Sequence, residues 1–129
     1  MAGPSRKTAR RDALFVLYQL EVRDAEPATL LAEVREREGY AADEYTVALV
    51  DGVRASLPEL DATLAAHATS WPLERSLLRL ALYEIEHGLV PSEVAVDEAV
   101  RLARRYSTDE AGVLVNGVLG AIVRERGED

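Results

Sequence analysis

The chain has 129 residues, no cysteine and a formal net charge of −8. That length suits one domain with a core of its own. The missing cysteine excludes a disulfide scaffold, a thiolate zinc site, an iron–sulfur cluster and a cysteine nucleophile. Ala, Leu, Glu and Arg supply 67 of the residues against one Phe, one Trp and five Tyr, a balance that predicts an all-α fold.

In chain order, the first helix is expected from just after Ser5 to about Asp24. Its Ala9, Ala13, Val16, Leu17 and Leu20 fall on one helical face. Pro27 opens a second helix and Gly39 closes it. Asp43 caps a third, which carries Val47, Val50, Val53 and Leu57. Pro58 breaks the chain there, and residues 58–67 continue helical. Thr69-Ser70-Trp71-Pro72 starts the next helix, with Leu73, Leu77, Leu80 and Ile85, and Gly88 ends it. Trp71 is expected to pack as a hydrophobic staple across that helix start. Pro91 and Ser92 open a helix with Ala95, Ala99, Leu102, Ala103 and Tyr106 on one stripe. Ser107-x-x-Glu110 fits a capping box for the last helix, which runs to about Arg124.

The expected whole is a bundle of six to seven helices forming one domain over residues 1–129, with a flexible 1–5 and a frayed 125–129. Leu49-Val50-Asp51-Gly52-Val53 and Leu114-Val115-Asn116-Gly117-Val118 match at four of five positions. A mid-helix Gly costs about 1 kcal/mol against Ala, so Gly52 and Gly117 suggest two close helix–helix contacts and two similar halves. No apolar run approaches the ~20 residues of a membrane helix, and the basic start is not followed by a signal-peptide core. The cytoplasm is the expected compartment, with no membrane partner.

Charge is unevenly spread. Residues 1–11 carry Arg6, Lys7, Arg10 and Arg11 and no acid, whereas residues 12–129 carry 11 bases against 23 acids. Arg6/Arg10 and Lys7/Arg11 are like-charged pairs one turn apart, which weaken a helix slightly. Such a cluster points to an anionic partner. Tyr18 lies two turns beyond Arg11, where an aromatic ring beside a basic patch is a platform for an unstacked RNA base, or else an ordinary core residue.

Catalytic readings find little support. His67 and His87 stand alone, and the acid pairs Asp43-Glu44, Asp97-Glu98 and Asp109-Glu110 sit early in expected helices, where the helix dipole favours them. There is no glycine-rich phosphate loop. Neither a metal nor a cofactor is expected. Glu74 and Arg75, in the first turn after Trp71, are expected to be exposed, either as part of a protein interface or as plain solvated charges, and spacing does not choose between the two.

The residues also carry a family pattern. Arg10-Arg11-x-Ala13 with Leu17-Tyr18-Gln19-x-Glu21 resembles the opening of the bacterial NusB transcription-antitermination family. So do Leu78-Arg79-Leu80-Ala81-Leu82-Tyr83-Glu84, the block from Val90-Pro91 through Val94-Ala95-Val96-Asp97-Glu98-Ala99-Val100 to Leu102-Ala103-Arg104, and Val115-Asn116-Gly117-Val118-Leu119. The resemblance spans about residues 6–123. It implies an all-helical protein of two packed halves. Such a protein binds single-stranded boxA RNA together with the ribosomal protein NusE, and helps RNA polymerase read through terminators, notably in ribosomal RNA operons. It implies RNA contact at Arg6, Lys7, Arg10, Arg11 and Tyr18, with Glu110 to Leu114 near the same surface, and a NusE-facing turn that includes Glu74.

Arg104 keeps the charge of the family's usual Lys and joins the expected RNA-contacting set. Two departures stand out: Leu114 replaces a frequent Phe, and Gly120 a common Asp. The resemblance leaves monomer and homodimer both open. Three rivals are weighed against it. A NusB-like domain also precedes the catalytic part of some ribosomal RNA cytosine methyltransferases, but no cofactor-binding segment or catalytic cysteine is present here. A protein-interaction module without RNA would leave the basic segment a disordered tail. A helix-turn-helix DNA binder lacks a basic recognition helix, since Arg101, Arg104 and Arg105 are the only other clustered bases.

Overall fold

The computed structural model describes residues 3–67 and 71–127. Among these residues seven α-helices follow one another: α1 (Arg6–Val22), α2 (Pro27–Glu38), α3 (Glu44–Ala55), α4 (Leu57–Leu64), α5 (Pro72–Glu86), α6 (Ser92–Tyr106) and α7 (Asp109–Glu125). One 3₁₀ turn, Ala65–His67, follows α4. No strand occurs among the described residues. Among them, too, no helix is long and apolar enough to cross a membrane. The expectations for residues 1, 2, 128 and 129, and for Thr69 and Ser70, lie outside the described residues.

Local chemistry sets most helix ends. The Ser5 hydroxyl accepts the Thr8 N–H at 3.2 Å and caps α1. Pro27 occupies the first turn of α2, where its missing N–H costs nothing. Gly39 ends α2 with φ of 82°, a conformation that penalises any Cβ. The Asp43 carboxylate accepts the Tyr45 N–H at 2.9 Å and caps α3. Pro58 and Pro72 lie in the first turns of α4 and α5. The last cap differs from expectation by one residue. Thr108, not Ser107, accepts the Ala111 N–H, at 3.0 Å, and Glu110 stays exposed rather than closing a capping box.

The chain divides into two compact units, residues 1–55 and 56–129. In the first, α1 packs on α2 and α3. Its buried side chains are Ala9, Ala13, Leu14, Val16 and Leu17 of α1, Leu30 and Val34 of α2, and Leu49, Val50 and Val53 of α3. The small Ala9 admits α3 closely enough for the buried Thr46 hydroxyl to donate to its carbonyl at 2.9 Å.

In the second unit α5 packs on α4, α6 and α7. It is buried nearly all round, as a helix with Leu77, Leu78, Leu80, Ala81, Leu82 and Ile85 should be. The stripe Ala95, Ala99 and Ala103 on α6 is buried, as its periodicity predicts. The glycine expectation fails at Gly117, which is exposed and where a Cβ would meet nothing within 4 Å. The close approach is at Gly112 instead, where a Cβ would come within 2.8 Å of the Arg104 Cγ.

Candidate nucleic-acid interface

In the first unit the candidate surface is the tip of α1. Arg6 and Lys7 occupy its first turn and are exposed. That turn holds no acid. Cations at the positive end of a helix oppose its dipole, so their placement does not serve helix stability. The Arg6 guanidinium lies 4.1 Å from the centroid of the Tyr45 ring, a cation–π contact that fixes its direction. Tyr45 is 39 residues away in sequence, and no spacing rule pointed to it.

The other expected α1 contacts are placed differently. Arg10 is only 3% exposed. A buried guanidinium does not reach a phosphate in solvent, so Arg10 leaves the set of direct contacts. Arg11 is partly exposed but committed to its own chain. Its Nη2 donates to Asp12 Oδ1 at 2.9 Å, to Glu38 Oε1 at 2.9 Å and to the Tyr40 hydroxyl at 3.2 Å. The Tyr40 hydroxyl in turn donates to Asp12 Oδ2 at 2.7 Å. Asp12 is fully buried, and a buried carboxylate without donors is expensive.

Burial works against the charge of Arg11. The hydrogen bond and charge of Asp12, with the charge of Glu38, outweigh burial and push its pKa up. Burial, then the hydrogen bond to Asp12, push the Tyr40 phenol up to about 12. This cluster ties α1 to the end of α2. Tyr18 is partly exposed.

In the second unit, Trp71, Glu74, Thr108, Glu110, Ala111 and Leu114 line a groove of about 260 Å³. Trp71 is 57% exposed and Leu114 41%. Trp71 is therefore an open aromatic face and not the packed staple expected. Glu74 also departs from expectation: it is 3% exposed, and its Oε1 has no hydrogen-bond partner among the described residues. A buried acceptor without a donor, beside an open indole, is suited to a ligand that brings an N–H and a flat apolar face.

Arg75 turns to a different hollow, with Asp61, Leu64, Leu78 and Arg79, so the pair Glu74 and Arg75 does not form one surface. Arg104 is exposed and lines a third hollow, between α6 and α7. Among the described residues no group of three His, Cys, Asp or Glu is placed to hold a metal ion. His87 stacks on Tyr83 with ring centroids 4.1 Å apart.

Comparison with known proteins adds four findings. The model of the NusB family matches residues 7–124. A transcription antitermination protein NusB of Saccharopolyspora erythraea is 42% identical over 127 residues, covering 92% of this chain and 86% of that protein. One from Rubrobacter xylanophilus is 43% identical over 122 residues, covering 89% and 87%. A solved structure of the antitermination factors NusB and NusE in complex with double-stranded RNA superimposes with a TM-score of 0.84. It is 32% identical and covers 93% of this chain and 96% of that one.

Proposed function

The chain belongs to the NusB family, and we propose from that membership that it is an RNA-binding transcription antitermination factor. It takes up boxA RNA together with NusE and promotes read-through by RNA polymerase, with ribosomal RNA operons as the setting. It acts by binding rather than catalysis, and in the cytoplasm, where bacterial transcripts are made. The observation in this chain that carries the reading is the tip of α1. Arg6 and Lys7 stand exposed at the positive end of a 17-residue helix with no acid in its first turn. That arrangement is unfavourable for the helix and favourable for a phosphate.

On this reading Arg6 and Lys7 neutralise phosphates and place the strand. Tyr18 offers a partly exposed ring on the same helix. In the second unit, the Trp71 groove takes an unstacked base, with the indole as platform and Glu74 Oε1 accepting a base N–H. Glu110 and Leu114 form its wall. Leu114 supplies apolar contact where a ring would stack, so Trp71 carries the stacking. Arg75 belongs to the NusE-facing side. With few basic contacts on a body of 11 bases and 23 acids over residues 12–129, binding by the chain alone is weak. A basic ribosomal protein completes the site.

The test is the salt dependence of RNA binding. Arg6→Ala with Lys7→Ala should lower the log–log salt slope by about 1.4, since each phosphate contact on a single strand contributes about 0.7. The circular dichroism spectrum should not change. A slope equal to that of the unaltered protein would remove the α1 tip from the interface.

A further inference from the structure

One hollow in the second unit is not explained by the α1 tip or the Trp71 groove. It is an open space of about 670 Å³ between α6 and α7, and its walls include Arg101, Arg104, Arg105, Val113 and Asn116. We propose that this hollow is a second RNA contact, in which Arg101 and Arg105 hold the phosphates of single-stranded RNA flanking the specific element. This rests on the RNA-binding reading above and extends it to residues that reading does not use.

Three observations support it. The first is the concentration of charge. Residues 56–129 carry 13 acids against 7 arginines, yet three of those arginines line this one hollow. Arg104 and Arg105 end α6, where the helix dipole favours cations. Arg101 lies a turn earlier, beyond the reach of that effect, and extends the row. Arg101 and Arg105 are both exposed and stand one turn apart, about 6 Å along the helix axis. That step is comparable to the spacing of neighbouring phosphates in an extended strand, and guanidinium groups match phosphate oxygens two at a time.

The second observation is the room made on α7. Any side chain at Gly112 would collide with the Arg104 Cγ, at 2.8 Å from a Cβ. The bare backbone there lets the stem of Arg104 lie against α7 and keeps its position over the hollow.

The third is the company the arginines keep. The Arg105 guanidinium is 5.7 Å from the Tyr106 ring, and the exposed Asn116 stands on the facing helix. The cations and the Asn116 amide on the wall can together donate to the oxygens of a phosphate strand. Asp97, also on the wall, and Glu98, which bonds Arg101 at 2.8 Å, moderate the charge. The contact is therefore one of position and salt sensitivity, not of base choice.

The experiment uses the full chain with NusE and two RNAs with single-stranded flanks, one containing a boxA-like element and one scrambled. Binding is measured over a salt series. Arg101→Ala with Arg105→Ala should lower the slope by about 1.4 and weaken binding roughly 25-fold at 0.1 M salt, by two contacts of about 0.7 decade each. The loss should be equal for both RNAs, because phosphates carry no sequence. Arg101→Lys with Arg105→Lys keeps the charge and should restore most of the slope.

An unchanged slope in the alanine variant, with a lowered slope in the Arg6 and Lys7 variant, overturns this inference and leaves the function reading intact. Absence of RNA binding by the unaltered complex overturns both. Loss of binding to polyglutamate with RNA binding unchanged assigns the hollow to an acidic protein and overturns the inference.

Discussion

Arg11→Ala should destabilise the fold before it affects RNA. The guanidinium donates to the fully buried Asp12 at 2.9 Å. Without it the carboxylate keeps the Tyr40 hydroxyl as the remaining donor of this cluster, at 2.7 Å. Removing one member of a buried ion pair costs about 3–5 kcal/mol. Arg11 itself stays 27% exposed, so water enters the vacated space and the cost falls at the lower end, about 3 kcal/mol. For a chain of this size that is a fall in Tm of roughly 10 °C.

The assay is thermal unfolding of Arg11→Ala, Asp12→Asn and the double variant. The two residues touch, so the double variant should lose clearly less than the sum of the singles, with a coupling of about 1–3 kcal/mol. A loss below about 1 kcal/mol in Arg11→Ala, with additive singles and a salt slope for RNA that drops, would refute the reasoning. Arg11 would then be a phosphate ligand and not a strut.

Other outcomes follow from the same structure. The Tyr40 phenol is raised to about 12 in the fold against about 10 when unfolded. Its contribution is therefore complete below pH 10 and is lost as the pH climbs to about 12. The loss is on the order of 2 kcal/mol, and alkaline unfolding of Tyr40→Phe should lack that part of the slope. Gly117→Ala should stabilise the protein by about 0.5–1 kcal/mol, since a Cβ there meets nothing within 4 Å; chemical denaturation reads it directly. Glu74→Gln should change stability by less than about 1 kcal/mol, because Oε1 has no donor to lose. It should nevertheless weaken RNA binding several-fold, because the amide that replaces the carboxyl group presents one acceptor oxygen instead of two, as fluorescence anisotropy would show.

Helix ends were legible in the sequence because their causes are local. Ser5, Pro27, Gly39, Asp43, Pro58 and Pro72 act within a turn of where they stand. The capping box slipped by one because Ser107 and Thr108 are chemically alike and only backbone geometry chooses between them. The apolar stripes of α1 and α6 were legible for the same local reason.

Burial of polar groups was not. Arg10, Asp12 and Glu74 are charged side chains that are nevertheless buried, and the surroundings of Asp12 and Glu74 include residues far along the chain. Tyr40, which satisfies Asp12, is 28 positions away. Trp71 failed in the opposite direction: its hydrophobicity argued for packing, yet its ring is left open. The two exposed cations of the α1 tip were legible as a cluster. Which members of that cluster face solvent was not, because a like-charged run looks the same whether its members are presented or tied inward.

The measurement closest to the central claim is a titration of single-stranded RNA containing a boxA-like element, beside a scrambled RNA, with and without NusE and at two salt concentrations. The account predicts selective binding that tightens with NusE and weakens with salt. Equal binding to both RNAs, or no binding to either while NusE is still bound, would contradict it.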